Sequence, residues 1–536
     1  AAPRGPILTS SSQRRVFCKP FPGCSLMSLG VAYSLTMQGL HATLIAVEAH
    51  CGGRLPTIHN VGRADTAVRE AGDRVRSAFS TIGLPWPRQR LTLSLSPADI
   101  PKTGAHFDLS IALAILSAQG HIPELSSRQH PIAVLGEVGL DGSILPVHGV
   151  LPMAAAAYDA GIRTLIVPTA NRAEASLVEG LQILDAADLA TLVGALRGDL
   201  PRDVLVPSSS LDNKPLEALE VPQDKDFADI RGQRSAVEAA LVAAAGGHHM
   251  LMLGPPGAGK SMIAQRLPTI LPRLSYAHAL EVTAVHSLKG CLDAEHPLIT
   301  VPPFEAPHAG ITGPALLGGG SGYASPGAVS LAHRGVLFLD ECTEIPASIL
   351  DMLRAPLQDG EVRISRSKGT VTYPSRCQLI LAGNSCPCGA PTPQECHCSS
   401  ATRARYRARL SGPLLDRVDL RIRVEAVGLA ALTETQGITS AYLREKVIDA
   451  RQRAYNRWGG EYTNSDVSEA VLNEHRLSAG TLKPVHAQLR SGMMSARGLS
   501  RTIRVAWTLA DLADKSIPTS DDIASALKLR RPIDDL

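Results

Sequence analysis

The 536-residue sequence predicts a multidomain α/β protein built around a nucleotide-binding core. Three observations predict it. First, an apolar run at 248–253 (HHMLML) leads into GPPGAGKS at 254–261 and then into MIAQRL, whose helical spacing lasts until Pro268. Second, the apolar runs 336–339 and 379–382 read as further buried strands. Third, strand–loop–helix patterns fill the first third of the chain, and the pattern turns helical from about Ala430.

The loop comes first. Gly254, Gly259, Lys260 and Ser261 fill the fixed positions of G-x-x-x-x-G-K-[ST], with Pro255, Pro256, Gly257 and Ala258 between them. Glycines let backbone N–H groups wrap phosphates without Cβ clashes, and the following helix N-terminus adds partial positive charge. Lys260 then reaches the β- and γ-phosphates of ATP, and the Ser261 hydroxyl ligates Mg²⁺. A Gly/Pro turn before a helix is the competing reading, and the flanking strand and helix weigh against it.

GVLFLDE at 335–341 places two acids at the end of an apolar strand. Ligands collect at strand C-termini in open α/β sheets. Asp340 suits the Mg²⁺ shell, and Glu341 suits a base that orients the attacking water. The strand at 379–382 ends at Gly383-Asn384, where a side-chain amide can position water or touch the γ-phosphate. In SGPLLDRVDL (411–420), Arg417 stands between acids at the expected edge of the core. In ring ATPases such an arginine enters the neighbouring subunit's site and stabilises transition-state charge. A salt-bridged surface arginine is the alternative.

In this order the motifs resemble AAA+ ATPases of the magnesium-chelatase-like branch and, more narrowly, the YifB/ComM family of bacterial competence proteins. FADIRGQ (227–233) resembles the adenine-pocket segment, PFEAPH (303–308) the insert, and LRAPLQDGEVRISR (353–366) the hairpin before the first sensor. SARGLSRTIRVAWTLADL (495–512) resembles the lid helix. The resemblance assigns the second sensor to Arg497, with Arg501 as the alternative. It extends over nearly the whole chain from about Met27. Two departures stand out: GNSCPCG replaces the family's M-N-P-C-P-C-G, and His308 is followed by Ala309 where the family has paired histidines.

Ten cysteines are sparse for this length and point to a reduced, cytoplasmic setting. Four of them, Cys386, Cys388, Cys396 and Cys398, fall within thirteen residues as two C-x-C pairs. Four thiolates around a turn suit a structural Zn²⁺. His397 can replace one thiolate, and free thiols or a disulfide remain the alternative.

Before the core, LTLSLSPADIPKTGAHFDLSIALAIL (91–116) reads strand, loop, helix. GEVGLDGSILPVHGVLPMAAAAYDAGIRTLIVP (136–168) reads hairpin, helix, strand. Both resemble the proteolytic domain of Lon-type proteases, which pair a serine nucleophile with a lysine base. On that pattern the nucleophile falls at or near His106 and the lysine near Leu151. No serine lies in 102–107, and no lysine between Lys102 and Lys214. The resemblance therefore implies a Lon-like fold without peptidase activity.

The expected organisation is a leader at 1–26 (unstructured or mis-started), a Lon-like domain at 27–200, a linker at 201–225, an AAA+ core at 226–430 and a helical lid at 431–536. The leader has no continuous apolar stretch of signal-peptide type. With 44% apolar and 19% charged residues and a net charge of +3, the chain has the composition of packed domains without a strongly basic tail. No apolar run approaches the roughly 20 residues of a membrane helix.

AAA+ proteins of this branch assemble as rings, usually hexamers, because the arginine comes from a neighbour. The hairpin GEVRISRSKGTVTYP (360–374) carries Arg363, Arg366 and Lys368, which suit a DNA phosphate backbone; a solvated hairpin is the alternative. A second basic run, RARYRAR (403–409), suits phosphate or a subunit interface. Aromatic residues are only 4% of the chain, which favours backbone tracking over base stacking. The expectation is a ring-forming, DNA-acting ATPase, by family resemblance a helicase of branch migration during natural transformation. A magnesium-chelatase ATPase subunit and a protein-remodelling regulator are the alternatives.

Overall fold

The computed structural model describes residues 28–53, 57–62, 65–126, 131–200, 205, 224–320, 324–366, 369–390, 395–426, 437–490 and 494–533. The expected leader, most of the expected linker, and Lys368 lie outside them.

Among the described residues, the first third forms a seven-stranded sheet. Its strands are β1 (Ser28–Gln38), β2 (His41–Cys51), β3 (Ile58–Val61), β4 (Leu91–Ser96), β5 (Ile132–Val134), β8 (Thr164–Pro168) and β9 (Gln182–Ala186), in the order β3-β4-β2-β1-β5-β8-β9. A small hairpin of β6 (Glu137–Val138) and β7 (Ile144–Leu145) stands apart. β1 and β2 pair antiparallel around a tight turn at Gly39, whose φ of +65° is the left-handed region that glycine tolerates. β5, β8 and β9 run parallel. Strand alternation then splits the core. Ile166 joins the layer under helices Thr66–Ile82 and Asp108–Ala118, while Leu165 and Val167 join the layer under helix Val150–Asp159. Helix Asp108–Ala118 is buried nearly all round, as its unbroken apolar sequence requires.

The second sheet is five-stranded and parallel. It comprises β10 (Met250–Leu253), β11 (Phe304–Glu305), β14 (Val336–Leu339), β17 (Gln378–Gly383) and β18 (Leu420–Arg423), ordered β11-β14-β17-β10-β18. MLML, VLFL and QLILAG are buried throughout, because helices cover both faces. β10 starts two residues later than the apolar run suggests. Helix Lys260–Ile270 runs through Pro268 and does not stop there. The proline forfeits one backbone hydrogen bond, but Ile263, Leu267 and Ile270 stay buried on one stripe and hold the last turn. Short strands β12 (Gly318–Gly319) and β13 (Ser325–Pro326) pair, and β15 (Glu361–Arg366) with β16 (Gly369–Pro374) forms the expected hairpin.

The chain then becomes helical: Ser440–Trp458, Glu469–Glu474, Lys483–Arg490, Ala496–Leu512 and Ser520–Lys528. Side chains of Thr439, Ser468, Ser495 and Thr519 cap four of these helices at their N-termini. The two sheet-bearing parts touch directly. Ser287 Oγ donates to Glu174 Oε1, Gly149 N–H to Ser287 O (3.2 Å), and Tyr276 Oη to Leu177 O (3.1 Å).

Candidate nucleotide site and arginine face

Adjacent β14, β17 and β10 bring three sequence-distant motifs to one end of the sheet. The loop after β10 is shaped by its glycines. A Cβ on Gly254 would lie 2.0 Å from Val424 O, so the chain just after β18 admits only glycine there. Gly257 and Gly259 take φ of +76° and +88° in open space, so their requirement is conformational. Gly259 opens the helix at Lys260.

Lys260 is buried, and its Nζ donates to Gly254 O (2.9 Å), Pro255 O (2.8 Å) and Asn384 Oδ1 (3.4 Å). Burial pulls its pKa below the usual lysine value, partly opposed by Asp340. Ser261 Oγ donates to Asp340 Oδ2 (2.5 Å), and Asp340 Oδ1 accepts the Glu341 N–H (2.8 Å). Glu341 is exposed beside the loop with φ of +48°, a strained backbone for a glutamate. Gln233, buried at the end of FADIRGQ, donates to Ala258 O (2.9 Å) and Glu425 O (2.6 Å). It thereby ties the loop to the chain after β18. Sequence reasoning did not single it out; an amide closing the segment before a helix was the available signal.

The arginines gather at the opposite end of the sheet. Arg417 is 8% exposed. Its Nη1 donates to Pro413 O (2.9 Å) and its Nη2 to Gln358 Oε1 (2.7 Å). Burial, then the charges of Arg497, Arg354 and Arg501, push its pKa down. Arg497 sits 3.6 Å from Asp416 Oδ2. Arg501 Nη1 donates to Asp419 Oδ1 (2.6 Å), whose fully buried carboxylate also meets His248 Nδ1 at 3.3 Å. Asp419 N–H bonds His249 O, just before β10 begins. At about 3.3 Å per residue, the four residues of β10 separate this end from the phosphate loop by roughly 13 Å. Arg417, Arg497 and Arg501 therefore do not face the loop of their own chain. With Arg334, Arg376 and Arg451 they line a cleft of about 600 Å³.

Comparison with known proteins gives the family. Residues 226–432 match the family model "Magnesium chelatase, subunit ChlI", 47–171 match "Subunit ChlI of Mg-chelatase", and 437–530 match its C-terminal model. The chain is 46% identical to an uncharacterized protein of Mycobacterium tuberculosis, over 94% of this chain and 99% of that one. It is 38% identical to Competence protein ComM of Haemophilus influenzae, over 94% and 98%. It is 34% identical to the uncharacterized protein YifB of Escherichia coli, over 94% and 97%. The chain belongs to the YifB/ComM family of magnesium-chelatase-like AAA+ proteins. That family is one of ATPases that use ATP and Mg²⁺. A weaker partial match, 27% identity over 33% of this chain and 20% of the other, links it to the Lon protease of Chloroflexus aurantiacus.

Within this family member the four cysteines form one cluster. Cys386 and Cys388 sulfurs are 3.1 Å apart, and Cys396 lies 3.6 Å from each. With Cys398, all four lie within 4.8 Å of one another, a spacing that suits four thiolates on one tetrahedral metal. A Cβ on Gly389 would meet Pro256 Cγ at 3.0 Å, so the knuckle leans on the phosphate loop.

The basic segments are less free than the sequence suggests. Arg363 is 73% exposed but pairs with Glu361 (Nε to Oε1 2.7 Å). Arg366 is exposed. In RARYRAR, Tyr406 is buried with its Oη accepting from Thr343 Oγ1 (2.7 Å), and Arg409 binds Thr343 O and Glu344. His106 Nε2 bonds Leu35 O (2.7 Å) and burial lowers its pKa, while Leu151 is buried in helix Val150–Asp159. No helix among the described residues is long and apolar enough to cross a membrane.

Proposed function

We propose that the protein is a ring-forming, ATP-hydrolysing motor that acts on DNA, with branch migration of recombining strands during natural transformation as its task. The observation that carries the ring reading is the separation of Arg417 from the phosphate loop. A second copy supplies what each site lacks, and such heterologous contacts close into a ring, by the family pattern a hexamer.

Gly254–Ser261 cradle the phosphates. Lys260 exchanges its two carbonyl partners for phosphate oxygens, and Ser261 with Asp340 holds Mg²⁺. Bound Mg²⁺ supplies charge neutralisation at the phosphates. Glu341 orients the attacking water, and Asn384 stands beside Lys260 to fix the γ-phosphate end. Arg417 and Arg497 reach the neighbour's site and stabilise charge that develops there. The hairpin residues Arg363, Arg366 and Lys368 track the DNA backbone.

The supporting domain reading is a Lon-like domain at 27–200, a linker at 201–225, the core at 226–430 and the lid at 431–536. The first of these rests on the partial Lon match. Without the dyad it has no peptidase activity; casein cleavage that survives Lys260→Ala would overturn this. Cys386, Cys388, Cys396 and Cys398 hold a structural Zn²⁺, and the protein works in the cytoplasm. A second reading, a partner-driven motor of the magnesium-chelatase type, draws on the three family models. ATP-dependent migration of a labelled four-way junction separates the two: the DNA reading expects resolved duplexes from wild type and none from Lys260→Ala.

A further inference from the structure

Arg417 is held in a way the family motifs do not account for. Arg417 is nearly fully buried, Arg497, Arg354 and Arg501 outweigh Asp416 among its charged neighbours, and its Nε has no hydrogen-bond partner among the described residues. Among the described residues, its one side-chain acceptor is Gln358 Oε1 at 2.7 Å, since its other bond goes to the Pro413 carbonyl. A buried arginine with so few bonds is oriented chiefly by the acceptors it has.

Gln358 lies in the short helix Pro356–Asp359, immediately before the β15–β16 hairpin. Gly360 joins them: its N–H bonds Pro356 O (2.9 Å), and its carbonyl accepts Ser375 N–H (2.8 Å) at the hairpin's base. A parallel tie runs nearby. Ser411, which caps the helix Gly412–Leu415 ahead of Arg417, donates its hydroxyl to Asp351 Oδ1 (2.6 Å). Two side-chain bonds therefore fasten the arginine-bearing segment to the segment that carries the hairpin.

We propose that Gln358 is a positioning residue: it aims Arg417 for the neighbouring subunit's γ-phosphate and links that aim to the hairpin. The inference rests on the reading of Arg417 as an intersubunit residue. An acceptor oxygen suits the role, because it orients the guanidinium through one hydrogen bond.

The test is steady-state hydrolysis of Mg–ATP by the full-length chain, with and without a four-way DNA junction. The variants are Gln358→Met, Gln358→Glu, Arg417→Ala and the Gln358→Met/Arg417→Ala double. Methionine keeps the volume and removes the acceptor; glutamate keeps an acceptor. Arg417→Ala is expected to lower kcat about 100-fold or more. Gln358→Met should lower kcat about 10-fold with KM for ATP within twofold, and should bring junction stimulation towards one. Gln358→Glu should keep more activity than Gln358→Met. The double variant should be no slower than Arg417→Ala, because Gln358 acts only through that arginine. A wild-type kcat in Gln358→Met, or a further 10-fold loss in the double variant, overturns the proposal. A wild-type kcat in Arg417→Ala overturns the intersubunit reading beneath it, and is read separately. Should Gln358→Met not fold, an inactive but folded Gln358→Glu would also count against the proposal.

Discussion

Ser261 and Asp340 meet across the end of the central sheet, hydroxyl to carboxylate at 2.5 Å. One residue lies in the first turn of the helix after β10 and the other directly follows β14, with β17 between the strands. A hydroxyl and a carboxylate converging where backbone N–H groups point outward make a ready divalent-cation corner beside a phosphate cradle.

That pairing predicts a split between binding and turnover. Asp340→Asn keeps the shape and removes the charge. Nucleotide binding, read by a fluorescent ATP analogue, is expected to persist. Phosphate release is expected to fall about 100-fold, the scale of losing one electrostatic stabiliser. Equal loss of both would mean that Asp340 holds the loop itself.

Arg497 and Arg501 lie one helical turn apart and are predicted to behave differently. Arg501 neutralises the fully buried Asp419, so Arg501→Ala leaves an uncompensated charge and should cost about 3–5 kcal/mol of stability. Arg497 is about half-exposed beside Asp416, so Arg497→Ala should leave the unfolding midpoint nearly unchanged and reduce ATP turnover. Chemical denaturation and ATPase rates on both variants check this.

Stability is predicted to fall on mild acidification. Burial pushes the His249 pKa down to about 4, and its Nδ1 accepts the Leu379 N–H (3.0 Å), which needs the neutral ring. The folded pKa lies below the unfolded value of about 6.5, so the unfolded chain binds more protons between them. Stability is therefore full above pH 6.5 and declines towards pH 4. Glu281, accepting from His333 Nε2 and with its pKa lowered to about 2, adds a second loss below about pH 4.5. The denaturation midpoint from pH 7.5 to 4 measures this; His249→Gln should flatten the upper part of the curve.

The cysteine cluster predicts one zinc per chain in reduced protein, by elemental analysis. Cys388→Ser with Cys396→Ser should abolish it. Because Gly389 abuts Pro256, chelation should also weaken ATP binding. A folded, metal-free wild-type chain would contradict the site.

Much of this was legible because the relevant signals are local. Continuous apolar runs ended by Gly-Pro, Asp-Glu and Gly-Asn marked β10, β14 and β17, and the parallel sheet does the rest by setting them side by side. Pro268 misled because burial of Ile263, Leu267 and Ile270 outweighs one lost backbone bond. The pairing on the hairpin was legible as well: Glu361 and Arg363 are two apart on a strand, hence on one face, and they pair. Which end of the sheet Arg497 and Arg501 occupy was not legible. It depends on how helix Ala496–Leu512 docks, and that is set by long-range contacts such as Arg501 with Asp419. Gln358 was invisible for the same reason, since its partner is far along the chain.

The central claim is a DNA-acting ATPase, and steady-state ATP hydrolysis tests it most directly. Wild type and Lys260→Ala would each be assayed without DNA, with single-stranded DNA and with a four-way junction. The account predicts strong stimulation of wild type by DNA and no activity in Lys260→Ala. Wild-type hydrolysis indifferent to every DNA would contradict it and move the weight to a protein or chelatase-type partner.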